Sequence, residues 1–270
     1  ASIREHYCTK AEVFVESGFT CPVESRNLRP DLTVLSCASC SLLALFAIVL
    51  NLIQTATRVR PRREAVRKTT IVEAPRLGKI VGAEVMIATE TFQHTGSFKF
   101  RAAYNVVSSV PNNQIITASS GNFGQAIAYA CSLLGKSCTI VMPRTSARVK
   151  VEAVREYGGT VDLIDVSQIS RAARVEQLAR ENPEAYIASA YDDPLVIEGN
   201  STLGEEIAQF DRAVDLVVAP VGGGGLISGL ITGVKSSGKK IEVIGAEPLM
   251  ANDAARSLRE GKVVVNEAEP

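Results

Sequence analysis

The chain has 270 residues, 46% hydrophobic and 21% charged, with 29 Lys plus Arg balanced by 29 Asp plus Glu. This composition supplies a packed core for one large domain or two ordinary ones, and excludes a disordered, charge-rich chain. A formal net charge of zero argues against a basic nucleic-acid binder, and two His and six Cys leave little for imidazole or thiolate metal chemistry.

In chain order, residues 1–65 are unlike the rest. Four of the six Cys lie here: Cys8, Cys21, Cys37 and Cys40. Cys37 and Cys40 form a lone CxxC inside an apolar run, which reads as buried or lipid-facing thiols rather than a zinc or redox site. No charged residue occurs from Leu32 to Thr57, and the densest apolar stretch is Ser41–Ile53. About 20 apolar residues suffice to span a bilayer as a helix. Arg58, Arg60, Arg62, Arg63, Arg67 and Lys68 follow, so the positive-inside rule would put what comes next in the cytoplasm. The expectation is an N-terminal extension over 1–65 with a membrane segment at about 32–57. A stretch foreign to the main domain remains the other reading of the same residues.

From residue 66 onward, short β-rich runs alternate with helical patterns, the signature of an α/β fold. The expected strands are Glu84–Ala88, Gln114–Ala118, Ser137–Met142, Thr160–Ile164, Tyr186–Ala188, Asp215–Ala219 and Ile241–Gly245. The expected helices are Asn122–Leu134, Ala147–Tyr157, Ser170–Arg180, Leu203–Phe210 and Leu226–Lys235. The pattern argues for parallel sheet covered by helices on both faces.

Three segments carry chemistry. In Gln93–Arg101 a polar turn leads into a helix opening near Ser97, with Lys99 flanked by Phe98 and Phe100. A lysine is usually solvated, but apolar neighbours would lower its pKa and make it an amine nucleophile. In Ala118–Gln125 a strand-to-helix turn of Ser119, Ser120, Gly121 and Asn122 offers backbone N–H groups and hydroxyls to a carboxylate or phosphate, where one capping residue would be enough for the helix. In Val221–Leu226 four consecutive glycines join a strand to a helix, which allows positive φ and close approach of a phosphate. Glu247 lies about 20 residues beyond this loop. A dinucleotide site of an oxidoreductase therefore stays open on these residues alone, with Ser228 standing where its third Gly would be.

Taken together and in this order, the three segments resemble the fold-type II pyridoxal-phosphate enzymes, the tryptophan synthase β-like family that includes threonine and serine dehydratases, serine racemase and cysteine synthase. The likeness runs from about Arg67 to the end, with support from Val141-Met142-Pro143 and Lys150, Gly158-Gly159, Asp192-Asp193-Pro194 and Glu198-Gly199-Asn200-Ser201-Thr202. The Ser-Gly-Asn-x-Gly-Gln form is most like the dehydratases and serine racemase.

The resemblance implies a two-domain, three-layer αβα architecture with parallel twisted sheets. The large cofactor domain would take residues 66–111 and 190–270, and the small domain 112–189. The large domain is expected to be incomplete, because the chain stops at Pro270 before the segment that bonds the pyridine nitrogen in the family. It further implies that Lys99 is the Schiff-base lysine, that Asn122 bonds the cofactor's 3′-oxygen, and that Gly222, Gly223, Gly224, Gly225 and Leu226 cradle its phosphate. Ser119, Ser120, Gly121 and Phe123 would bind the substrate carboxylate, with Ser120 as a second acid/base. Phe123 stands where dehydratases usually have His, which implies an altered pocket. Glu247, the Ala251 carbonyl and Asp253 fall where serine racemase relatives hold a divalent cation; oxygen ligands would suit Mg²⁺ or Ca²⁺. The implied activity is deamination of L-threonine or L-serine by β-elimination, with serine racemisation alongside. β-Replacement of the cysteine synthase kind and an inactive membrane-tethered fragment are the alternatives. The implied setting is cytoplasmic, as a homodimer acting on a small amino acid.

Overall fold

The computed structural model describes residues 65–265. The apolar run at 32–57 and the four N-terminal cysteines lie outside them. Among the described residues no helix is long and apolar enough to cross a membrane.

The chain first makes a small antiparallel pair, β1 (Thr70–Glu73) and β2 (Met86–Thr89), with helix α1 (Pro75–Val81) between them. Sequence periodicity did not anticipate β1 or α1. Four-residue strands with half-exposed side chains carry too little alternation to be seen. A 3₁₀ turn at His94–Gly96 then leads into α2 (Lys99–Ser109).

The central layer is a four-stranded parallel sheet of β3 (Gln114–Ala118), β4 (Ser137–Pro143), β5 (Thr160–Ile164) and β6 (Tyr186–Ile187), in the order β5-β4-β3-β6. The connecting helices are α3 (Asn122–Leu134), α4 (Arg148–Glu156) and α5 (Arg171–Glu181). Side-chain alternation splits the strands between two cores. Ile115, Ile140 and Met142 join Phe100, Val106 and Val107 of α2 and Ala126 and Ile127 of α3 in one apolar cluster. Their neighbours Ile116 and Val141 turn the other way and pack with Leu178 of α5. Both faces of the sheet are thus covered, which is why β3 and β4 read as nearly continuous apolar runs.

The strand order matters for function. From β3 the chain proceeds outward to β4 and β5, then returns to place β6 on the other side of β3. Adjacent strands whose connections leave in opposite directions open a crevice at their carboxyl ends, the usual ligand position in open α/β sheets. The turn Ser119–Gly121 leaves β3 there. The segment Ala188–Asp193 leaves β6 beside it, tied back by Ala188 N donating to Ile116 O at 2.9 Å and Thr117 Oγ1 donating to Ala188 O at 2.7 Å.

The rest of the chain forms α6 (Pro194–Ala208), the parallel pair β7 (Leu216–Pro220) and β8 (Glu242–Ala246), α7 (Gly225–Ser236) and α8 (Asp253–Glu260). Helix α6 begins nine residues before the expected Leu203, capped by Asp193, whose carboxylate accepts from Leu195 N at 2.8 Å, with Pro194 at the first helical position. Helices α6 and α7 meet backbone to backbone. A Cβ on Gly233 would collide with Ser201 O and would lie 2.7 Å from Glu205 N. We expect Gly233→Ala to destabilise the fold by about 1–3 kcal/mol, measurable by urea unfolding, because neither backbone can yield without the other.

Candidate cofactor site

Lys99 is the first residue of α2, and its half-buried Nζ donates to Ala190 O at 3.0 Å. The ammonium position lies 5.0 Å from the centre of the Phe98 ring and 5.8 Å from that of Phe123. Burial lowers the Lys99 pKa below the ordinary lysine value. A helix N-terminus acts in the same direction, since its dipole disfavours a cation.

The turn before Lys99 is unusual. Thr95 adopts φ 59°, rare for a β-branched residue. The buried hydroxyls of Thr95 and Ser97 have no hydrogen-bond partner among the described residues. His94 is wedged beside Phe100 and Tyr129, with ring centres 4.9 and 5.5 Å away, and burial followed by the Arg67 charge lowers its pKa.

Lys99 opens onto a cavity of about 180 Å³ lined by Phe98, Tyr191 and the run from Pro220 to Ile227. All four glycines expected to cradle a phosphate, and Leu226, therefore share one cavity with the lysine. Gly224 has φ 82°, and a Cβ at Gly222 or Gly224 would meet nothing within 4 Å. The loop runs straight into α7, whose first N–H groups have no partner within the helix. Its far end is pinned by the buried Asn200 of α6, whose Nδ2 donates to Gly225 O at 3.1 Å.

The Ser-Gly-Asn turn is partly committed to structure. Ser119 Oγ accepts from Gly121 N at 3.3 Å and Gly124 N at 3.0 Å, so its hydroxyl caps α3. Ser120 and Gly121 are half-buried, Asn122 is exposed at the start of α3, and the Phe123 ring is buried. Phe123 stands on the Lys99 side of the turn, where its ring adds apolar surface around the amine.

Glu247 follows β8, and its two carboxylate oxygens accept from Ala254 N at 3.2 Å and Ala255 N at 2.9 Å, while Ala251 N donates to Pro248 O at 3.0 Å. Glu247 thus caps α8, whose first turn also holds Asp253. Among the described residues no group of three His, Cys, Asp or Glu side chains is placed to hold a metal ion. We expect Glu247→Ala to destabilise the protein by about 1–2 kcal/mol through loss of this cap, read as a lower denaturation midpoint.

Comparison with known proteins decides the family. The description "Pyridoxal-phosphate dependent enzyme" matches residues 62–270. The chain belongs to this family. It is 35% identical over 215 residues to the beta-hydroxyaspartate dehydratase of Paracoccus denitrificans, covering 78% of this chain and 67% of that one. It is also 35% identical over 206 residues to the L-threonine ammonia-lyase of Geobacter sulfurreducens, covering 75% of this chain and 51% of the relative. The crystal structure of serine racemase from Dictyostelium discoideum superposes with a TM-score of 0.71 at 32% identity, covering 79% of this chain and 69% of that chain. The chain therefore spans from about half to two thirds of the length of these curated relatives.

Membership replaces the dinucleotide reading of the glycine loop, and Glu247 is committed to α8 rather than to a ribose. The residues present fit the family's cofactor. Lys99 supplies a half-buried amine, the glycine loop supplies amide donors at a helix N-terminus, and the open space over Gly222 and Gly224 admits a phosphate. Two contributors escaped the sequence reading, Tyr191 and Asn200. Asn200 sits in a stretch that supports the family resemblance, but nothing in its spacing says that it anchors the loop. Tyr191 carries no sequence signal at all, because its role depends on a contact across 32 residues of chain.

Proposed function

We propose that the protein, with pyridoxal phosphate bound, deaminates L-threonine or L-serine to a 2-keto acid and ammonia by β-elimination, with serine racemisation as a second outcome. The observation that carries this reading is the shared cavity of the Lys99 amine and the tetraglycine loop. The relatives named as an ammonia-lyase and a racemase support the choice of chemistry.

In this reading the amides from Gly222 to Leu226 would hold the phosphate, Lys99 would attach the cofactor, and Asn122 would bond its 3′-oxygen. The bound cofactor supplies an electron sink for charge developing at the substrate α-carbon. The Ser119–Gly121 turn and Phe123 orient the substrate carboxylate beside the sheet crevice. The Lys99 amine, whose pKa burial lowers, would take the α-proton as general base once the substrate amino group has displaced it. Phe98 and Phe123 exclude water around it. By the family resemblance, Ser120 is the group that would return a proton from the other face in racemisation.

The same reading assigns 66–111 and 190–270 to a cofactor domain and 112–189 to a small domain, which the separate four-stranded sheet of 114–187 supports. It includes a homodimer, and a Mg²⁺ or Ca²⁺ ion at Glu247, Ala251 and Asp253. A calcium-dependent rise in thermal midpoint that is lost in Asp253→Ala supports the ion; no rise removes it. A cytoplasmic setting with an N-terminal anchor predicts detergent partitioning that disappears on deletion of 1–65.

The decisive experiment is 2-keto acid formation from L-threonine and L-serine by protein reconstituted with pyridoxal phosphate. Faster turnover of O-acetylserine with sulfide than deamination of either amino acid would replace elimination by β-replacement.

A further inference from the structure

We propose that Tyr191 is a positioning residue that shapes the tetraglycine loop and thereby makes the site select a phosphorylated cofactor. This rests on the pyridoxal-phosphate reading above and goes beyond it to a residue that the three sequence motifs do not contain.

The four glycines are not equivalent. A Cβ on Gly222 or Gly224 would meet open space. A Cβ on Gly223 would collide with the Tyr191 ring at Cγ, and would lie 2.6 Å from Cδ1 and 2.7 Å from Cβ of that residue. A Cβ on Gly225 would lie 2.8 Å from Tyr191 O and 2.9 Å from Tyr191 Cα. Two of the glycines are therefore required by Tyr191, whose ring fills the place a side chain would take at Gly223 and whose backbone does so at Gly225.

The backbone around Tyr191 is itself held in place. The preceding residue, Ala190, accepts the Lys99 hydrogen bond through its carbonyl at 3.0 Å. Ser189 Oγ accepts from Tyr191 N at 3.4 Å and Asp192 N at 3.0 Å, fixing the bend. One three-residue stretch, Ser189–Tyr191, thus touches the amine and backs the phosphate loop. Tyr191 is also 51% exposed and lines the cavity, so it is not a core residue. A loop of four glycines is otherwise free to sample many conformations, and a rigid ring against its middle removes that freedom before the ligand arrives. The consequence is specific to the phosphate, because the loop amides address that group and not the ring aldehyde.

The test compares the affinity of the 270-residue chain for pyridoxal 5′-phosphate and for pyridoxal, by absorbance titration, in the parent and four variants. Tyr191→Phe keeps the ring and should keep the parental preference. Tyr191→Leu should lower pyridoxal phosphate affinity about tenfold and leave pyridoxal affinity nearly unchanged. Gly223→Ala should lose affinity for pyridoxal phosphate, and Gly223→Ala combined with Tyr191→Gly should recover part of it, because the collision is gone. A parental ratio in Tyr191→Leu, or unaltered binding by Gly223→Ala, overturns the assignment. So does a Tyr191→Leu protein that fails to fold while Tyr191→Phe folds, since that makes the ring a stability element. A parent that does not distinguish the two ligands overturns the cofactor reading and this proposal together; a parent that does, with indifferent variants, overturns only the latter.

Discussion

Lys99→Ala is expected to leave a folded protein that no longer captures pyridoxal phosphate covalently and whose turnover falls by at least about 10³-fold. The amine is both the attachment point and the proposed base, so both signals should vanish together. Fold is spared because among the described residues the Lys99 side chain makes one hydrogen bond, to a main-chain carbonyl, and its position at the start of α2 suits Ala equally well. The check is an absorbance titration with pyridoxal phosphate beside a circular dichroism melt. Retained turnover in Lys99→Ala would remove the lysine from the mechanism.

The same group sets a pH dependence. Burial lowers its pKa in the folded state, so between that value and the unfolded value of about 10.4 the unfolded chain binds more protons. The Lys99 contribution to stability therefore rises with pH through that window. The rate of cofactor capture should likewise rise with pH and reach half-maximum below the ordinary lysine value. A midpoint at or above it would contradict the burial seen here.

The second large effect is expected at Arg101, two residues along the same helix. Its side chain is fully buried, and its guanidinium meets Glu90 at 2.7 and 2.9 Å and Glu206 at 2.8 and 2.9 Å. Thr202 Oγ1 and Arg67 O complete its partners at 3.0 and 3.2 Å. Burial alone would lower its pKa, but the hydrogen bonds and charges of Glu90 and Glu206 outweigh burial and raise it, so it stays charged throughout the working pH range. Removing one partner of a buried ion network leaves the others desolvated and unpaired. Arg101→Ala should destabilise the protein by about 3–5 kcal/mol. Arg101→Lys should recover only part of that, since an ammonium lacks the planar fork that engages two carboxylates. Denaturant unfolding of both variants gives the comparison. Because the network joins the end of β2, α2 and α6, cofactor affinity should fall with stability; an Arg101→Ala protein as stable as the parent would mean the network contributes nothing net.

Much of this was legible beforehand. Strands Gln114–Ala118 and Thr160–Ile164 and helix Asn122–Leu134 have the bounds expected from their periodicity, because each is an uninterrupted pattern closed by Gly, Ser or Asn. Helix α6 was missed over Pro194–Thr202 because Gly199, Asn200, Ser201 and Thr202 are poor helix formers and hide its apolar period. They are there for close contact: a Cβ on Gly199 would lie 2.6 Å from Arg101 O, and Asn200 reaches Gly225 O. Ser119 is the opposite case. Its hydroxyl accepts from two backbone amides of its own turn, a capping role that the residue type suggests, and its O–H stays available to donate to a carboxylate.

The sequence by itself determined the α/β class and the order of the three motifs, because each is a local pattern of spacing and side-chain type; the choice of Lys99 among the lysines rested on the family resemblance of those motifs taken together. Only the tertiary structure decided that β6 returns to the far side of β3, that Ala190 and Tyr191 reach Lys99 and the glycine loop, and that Arg101 joins Glu90 to Glu206. Those facts depend on which residues become neighbours when both sheet faces are buried. Periodicity along the chain records which side of an element is apolar, but not which partner covers it.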